Sequence, residues 1–159
     1  MTLTELIDAA EQRLLQAGVA FGQGTTNAFD EAVWLVLWRL GLPLDCDLDA
    51  EGARAVSADE QMQVAALIEQ RISTRQPAAY LTQEAWLQGY AFYVDQRVIV
   101  PRSFIAELLL DQLAPWVQDP HQVGQILELC TGSGCLSIIA AEVFPNAKII
   151  AADISPAAL

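Results

Sequence analysis

Lysine is almost missing from this sequence: Lys148 stands alone, and arginine supplies the rest of the 8 basic residues against 20 acids. The formal net charge is −12, and the deficit runs through the chain, with 12 acids against 5 arginines up to Tyr80 and 8 acids against 3 basic residues after it. Neither half offers the basic face that sequence-independent nucleic-acid binding requires, so no direct nucleic-acid binding is expected. Histidine is as scarce, and His121 lies in the polar stretch QDPHQ, where it reads as a surface residue. The 3 cysteines, Cys46, Cys130 and Cys135, are odd in number and lack paired ligand spacing. That pattern fits a reducing compartment and argues against a disulfide framework or a zinc site, and no metal is expected. Long apolar runs are absent too. Although 53% of residues are hydrophobic, the longest candidate, Ala32 to Trp38, meets Arg39 at once, far short of the roughly 18 to 20 apolar residues of a membrane span. The opening MTLTELIDAAEQR carries acids where a secretory leader has basic residues. A soluble cytoplasmic protein without membrane contact is expected. Its acidic excess serves solubility or steers in a basic protein partner.

A chain of 159 residues can bury one core, or one small domain and part of another. Leu3, Leu6, Ile7, Ala10, Leu14 and Leu15 recur with helical period before Gly18, which predicts a first helix. A second should start after Asn27 and run to Leu40, where Gly41 and Pro43 stop it. Apolar residues nearly encircle it, so it should lie centrally, with Trp34 and Trp38 as packing residues. The segment from Pro43 to Val56 reads as a solvated connector. Its acids Asp45, Asp47, Asp49 and Glu51 alternate, but the glycine and terminal glutamate of a calcium loop are out of place. Ser57 and Glu60 form a capping box that opens a third helix reaching about Thr74. From Tyr80 the composition turns aromatic and β-branched (AWLQGYAFYVDQRVIVPR), which predicts a β-hairpin turning near Asp95 and Gln96 and ending at Pro101. Ser103 then caps a helix carrying Ile105, Leu108, Leu109 and Leu113, closed at Pro115.

The chemistry lies near the C-terminus. ILELC, residues 126–130, is a short apolar strand; Thr131, Gly132, Ser133 and Gly134 form a turn; residues 135–144 are a helix; and KIIAADI is a second strand reaching Asp153. This is a β-α-β unit with a glycine-rich first turn. Without side chains, Gly132 and Gly134 let the backbone bend sharply and let a ligand rest on it, while the following helix directs free N–H groups at that ligand. Asp153, 19 residues after Gly134, is placed to accept the hydroxyl hydrogens of a ribose. The ligand should therefore contain an adenosine-like ribose.

Two nucleoside ligands compete for that turn. Gly132-x-Gly134-x-x-Ser137 is a degenerate dinucleotide fingerprint with serine at its third position. Glu128, inside the first strand two residues before the turn, would repel a pyrophosphate but favour the ammonium and sulfonium of S-adenosyl-L-methionine. A dinucleotide turn also tends to open its domain, whereas this one follows about 125 residues of other structure. The balance leans to the methyl donor, with an NAD-dependent oxidoreductase as the rival. Cys135, in the first turn of the helix, could have its thiol activated by the helix dipole, or it could simply make room for a ligand.

ELCTGSGCLSIIAAEVFPNAKIIAADIS resembles the cofactor motif of the protein-glutamine N-methyltransferases, the HemK-like family. The upstream YLTQEAWLQGYAFYVDQRVIVPRSFIAELL resembles the hairpin joining that family's helical and catalytic domains. Ser103, Phe104, Ile105, Ala106 and Glu107 after Pro101-Arg102, with Tyr80-Leu81-Thr82 upstream, are similar to the branch that modifies a large-subunit ribosomal protein, although Phe104 stands where proline is expected there. The alternative branch modifies release factors. The resemblance implies S-adenosyl-L-methionine as cofactor. It implies Glu128, Cys130, Thr131, Gly132, Ser133 and Gly134 as the donor loop, Asp153 as ribose ligand, and Pro101 and Arg102 at the active-site border. It further implies an Asn-Pro-Pro-Tyr motif beyond Leu159, so no catalytic residue is expected within the chain.

The fold expected is α/β: residues 1–76 a helical substrate-recognition domain, residues 77–102 a β-hairpin connector, and residues 103–159 the incomplete start of a Rossmann-like class I methyltransferase domain. With so few strands, the apolar face of the last helix (Leu136, Ile139, Ala140, Val143) should be partly exposed, the tail after about residue 120 poorly protected, and the chain prone to self-association and inactive alone. A non-catalytic interaction module is the reading from a different class.

Overall fold

Capping chemistry sets the limits of the long helices. In the computed structural model, which describes residues 1–159, helix α1 spans Leu3–Gln16. Thr2 Oγ1 accepts from the Glu5 amide at 3.2 Å and the Glu5 carboxylate accepts from the Thr2 amide at 2.8 Å. This reciprocal pair satisfies two N–H groups that the helix itself leaves free. Helix α2, Ala28–Leu40, starts at Asn27, whose side chain accepts from the Asp30 amide, and stops at Gly41 with φ 66°. A short helix α3, Leu48–Glu51, follows Asp47. Helix α4, Ala58–Thr74, opens on the expected Ser57–Glu60 box, and α5 is a single turn, Ala78–Thr82. The chain divides into two compact units, Met1–Thr82 and Gln83–Leu159.

In the first unit α2 packs against both α1 and α4. Its residues Leu35, Val36 and Leu37 are fully buried, with Leu3, Ile7 and Leu14 of α1 and Val64 of α4, as the encircling apolar pattern predicted. Trp34 is buried among them, beside Gly24. The connector is less solvated than its composition suggested. Beyond α3, Leu3 and Thr4 donate backbone hydrogen bonds to Arg54 and Gly52, and Val56 donates to Met1 at 3.0 Å. Gly52 and Val56 are buried, because backbone groups at the start of α1 find partners there that solvent would otherwise supply.

A second feature was invisible in the sequence. Arg71 on α4 and Glu31 on α2, 40 residues apart, form an ion pair at 2.7 Å with 3% and 2% of their surface exposed. Arg71 also donates to the Ala20 carbonyl and Thr25 to Glu31, while Arg75 donates to the Ala17 and Gly18 carbonyls. The loop between α1 and α2 is thus tied to the end of α4.

The second unit begins with strands β1, Glu84–Leu87, and β2, Tyr90–Tyr93, which pair antiparallel. The hairpin turns at Gln88 and Gly89, with φ 52° and 82°, and not near Asp95 and Gln96. Two consecutive positive φ values are what a two-residue turn of the primed kind demands, and its twist matches that of the strands. Asp95 instead accepts from the Arg97 amide and guanidinium in a local turn, so residues 97–100 form no strand. Helix α6, Ile105–Leu110, is shorter than predicted; Ser103 Oγ accepts from the Ile105 amide, and positive φ at Gln112 and Leu113 ends the helical run before Pro115. Strand β3, Gln125–Leu129, pairs in parallel with β4, Lys148–Ala152, across helix α7, Cys135–Val143.

The second core unites Leu87 and Phe92 of the hairpin, Ala106 and Leu109 of α6, and Cys135, Ile139, Ala140 and Phe144 of α7. Of the α7 face expected to be partly exposed, Leu136 and Val143 are so, whereas Ile139 and Ala140 are buried, because α6 and the hairpin pack over them. Part of the uncovered apolar surface lies on the face of the sheet turned away from α7, at Leu127, Leu129 and Ile150. The structure is therefore mixed α/β, with two separate two-stranded sheets. No helix is long and apolar enough to cross a membrane.

Candidate functional site

The turn after β3 is built from backbone that ordinary residues avoid. Cys130, Gly132 and Gly134 all have positive φ, at 60°, 57° and 78°. Glycine takes such values without penalty, whereas for Cys130 the left-handed conformation carries strain. The result is a chain that leaves β3 after Leu129, doubles back and enters α7 at Cys135. Thr131 donates its amide to the Ala152 carbonyl at 3.1 Å, and Gly134 donates to the Thr131 carbonyl at 3.0 Å. Gly134 caps α7 with no side-chain bond, so the first amides of that helix have no capping side chain.

Asp153 sits just past β4 and closes the turn from the other side. The Gly132 amide donates to its Oδ2 at 2.8 Å and the Ser155 amide to its Oδ1 at 2.9 Å. These bonds, Ser155 first and Gly132 second, hold its carboxyl below the usual aspartate range, since both favour the charged form. A carboxylate has about four acceptor positions, so the group retains acceptor capacity beyond these bonds. A Cβ on Gly132 would meet nothing nearer than Val98 at 3.9 Å, and one on Gly134 nothing within 4 Å. The turn is open on its outer side.

Glu128 projects from the middle of β3, half-buried. Thr131 Oγ1 donates to its Oε2 at 2.7 Å, and the Ser137 hydroxyl of α7 donates to the same oxygen. Beside it opens a cleft of about 370 Å3. Pro101, Arg102, Glu128, Cys130, Thr131, Gly132 and Ser133 all line this cleft. Residues chosen from two stretches of sequence some thirty positions apart thus meet on one cavity. Gly134 and Asp153 lie outside its lining; Asp153 reaches it through its bond to Gly132.

Cys135 does not fit the activated-thiol alternative. It is buried at the start of α7, and burial is the main cause that pushes its thiol above the usual value, opposed by the Ser133 hydroxyl and reinforced by the Glu128 charge. Desolvation penalises the thiolate more than the helix end favours it. Sequence reasoning placed Ser137 only as a fingerprint position and missed its bond to Glu128. The apolar members of the cleft, Leu87, Val98 and Ile99, were also missed. They lie in the hairpin and the loop after it, and no local pattern marks them as facing a turn some forty residues later.

No protein-family model matches the chain. Curated relatives do. It is 58% identical over 99% of its length to the ribosomal protein uL3 glutamine methyltransferase of Burkholderia pseudomallei, covering 51% of that protein. It is 56% identical to the protein of the same name from Bordetella pertussis and 49% to that from Neisseria gonorrhoeae, each over 99% of its length and just over half of theirs. The chain is a homologue of the uL3 glutamine methyltransferases. It spans about half the length of these relatives.

Proposed function

We propose that residues 103–159 form the opening part of a Rossmann-like class I methyltransferase domain whose glycine turn binds S-adenosyl-L-methionine. The observation that carries this is the cleft on which Glu128, Thr131, Gly132 and Ser133 meet Pro101 and Arg102. The residues suit the donor. Glu128 Oε1 accepts no hydrogen bond within the protein and supplies a carboxylate for the donor's ammonium; the open faces of Gly132 and Gly134 let the donor approach the backbone; and Asp153 keeps acceptor capacity for ribose hydroxyls. When bound, S-adenosylmethionine supplies an electrophilic methyl group on a sulfonium centre. The protein then has to orient that methyl and exclude water, since positioning dominates transfer from so reactive a donor.

The methyl acceptor is a glutamine side-chain nitrogen on a basic large-subunit ribosomal protein. The relatives' name supports this substrate class, and the −12 net charge suits a basic partner. On the same reading residues 1–76 recognise the substrate, residues 77–102 join the domains, and the protein acts in the cytoplasm. A release factor is the alternative acceptor. An NAD-dependent oxidoreductase is disfavoured by Glu128, whose charge would face a pyrophosphate at the turn; an interaction module without catalysis would have no use for the donor loop.

Calorimetric titration tests the donor. S-adenosylmethionine should bind and NAD should not, and Asp153→Ala should weaken donor binding roughly tenfold to a hundredfold, the scale of hydrogen bonds to a charged group. Unchanged affinity in that variant would remove Asp153 from the site. Fusing the chain to the complementary half of the Burkholderia pseudomallei relative and assaying methylation of uL3 against a release factor tests the acceptor. Transfer to uL3 alone is the expected outcome, with none by the unfused chain.

A further inference from the structure

Ser137 fills the third position of the Gly132-x-Gly134-x-x-Ser137 pattern. In a dinucleotide turn that position is a small residue so that helix and strand pack closely. The hydroxyl does something else in this protein. From the first turn of α7 it reaches back to β3 and donates to Glu128 Oε2, the oxygen that also receives Thr131 Oγ1 at 2.7 Å. A carboxylate oxygen has two good acceptor positions, so Oε2 is filled and the remaining capacity of the group lies on Oε1. The two donors come from opposite ends of the turn, one from its start and one from the helix beyond it. A glutamate side chain has three rotatable bonds and loses that freedom only against fixed partners. Two fixed hydroxyls on one oxygen leave a single carboxylate orientation beside the cleft.

We propose that Ser137 is a positioning residue: with Thr131 it clamps one oxygen of Glu128, so that the other is held ready for the ammonium group of the methyl donor. The proposal rests on the donor reading given above. Ser137 itself touches no donor atom. It acts through Glu128, so its effect must vanish when Glu128 is absent.

That dependence supplies the test. In the chain, Ser137→Ala should weaken S-adenosylmethionine binding about five- to tenfold, because one of two hydrogen bonds to a charged group is lost. Alanine is the better helix former, so the melting temperature should not fall. Ser137→Thr, which keeps the hydroxyl, should restore most of the affinity. The side-chain carboxyl 13C resonance of Glu128 should move in Ser137→Ala and stay near its original position in Ser137→Thr. Combined with Glu128→Ala, the Ser137→Ala change should cost nothing further, the non-additivity expected of residues acting as a pair. Equal losses in both backgrounds, or an affinity untouched by Ser137→Ala, would overturn the positioning role while leaving the donor reading intact. An unsubstituted chain that fails to bind S-adenosylmethionine would overturn the donor reading, and with it this role.

Discussion

The two units of this chain solve the same packing problem differently. Of eighteen large hydrophobic residues left exposed, only Met1, Leu15, Phe29 and Met62 belong to the first unit, and the rest, from Trp86 onward, to the second. The first unit encloses α2 between α1 and α4 and spends its polar groups on internal ties: two capping boxes, a buried ion pair and arginine bonds to loop carbonyls. The second closes one core around α7 and leaves the far face of β3 and β4 bare. Some of its polar groups gather instead at the glycine turn, where Glu128 and Asp153 are held by neighbouring hydroxyls and amides. A fold that ties down its loops and a fold that arranges acceptors beside a cleft make different demands on the same residue types.

The largest test of that distinction is Arg71. Arg71→Met strands the Glu31 carboxylate in the core, and loss of one partner of a buried pair costs about 3 to 5 kcal/mol. Denaturant melting followed by helical signal should show this loss, with amide exchange in residues 126–152 unaltered. The double change Glu31→Leu with Arg71→Met should recover most of the stability, because no charge is then left unpaired. A double variant as unstable as the single one would mean that the loop ties, and not the stranded charge, set the cost.

A smaller effect should follow at Gly52, where an added Cβ would collide with Thr4 Oγ1 and the Leu48 carbonyl. Gly52→Ala should cost about 1 to 3 kcal/mol, the usual range for overpacking, and should loosen the amides of Leu3 and Thr4 first. Wild-type stability would show that the connector is as solvated as its composition suggests.

The smallest effect concerns acid. The Asp153 carboxyl is depressed by the amides of Ser155 and Gly132. A depressed carboxyl contributes stability above its unfolded pKa of about 4 and loses it as pH falls through the lower folded value. The Gly132 and Ser155 amides should therefore lose exchange protection below about pH 4, and Asp153→Asn should abolish that dependence. The Ser57 bonds to Glu60 lower its carboxyl in the same direction, so the start of α4 is the internal control. A turn indifferent to acid would sever the link between Asp153 and Gly132.

What was legible in the sequence was local. Asn27, Ser57 and Gly41 marked helix ends correctly because a cap acts within four residues of itself. The strand, turn, helix and strand around Gly132 could be read because each signal spans only a few positions, and Asp153 follows from counting along them. The hairpin was misplaced because Asp95 and Gln96 are turn-prone residues too, whereas the strands that pair, β1 and β2, are the two flanking Gln88-Gly89. Likewise, nothing near Glu31 names Arg71, nothing near Ser137 distinguishes a packing serine from one that holds Glu128, and nothing in residues 52–56 announces their bonds to the start of α1. Those partners are chosen by which surfaces meet when apolar faces are buried. Burial depends on the whole unit, whereas caps and turns depend on their immediate neighbours, so tertiary structure alone decided them.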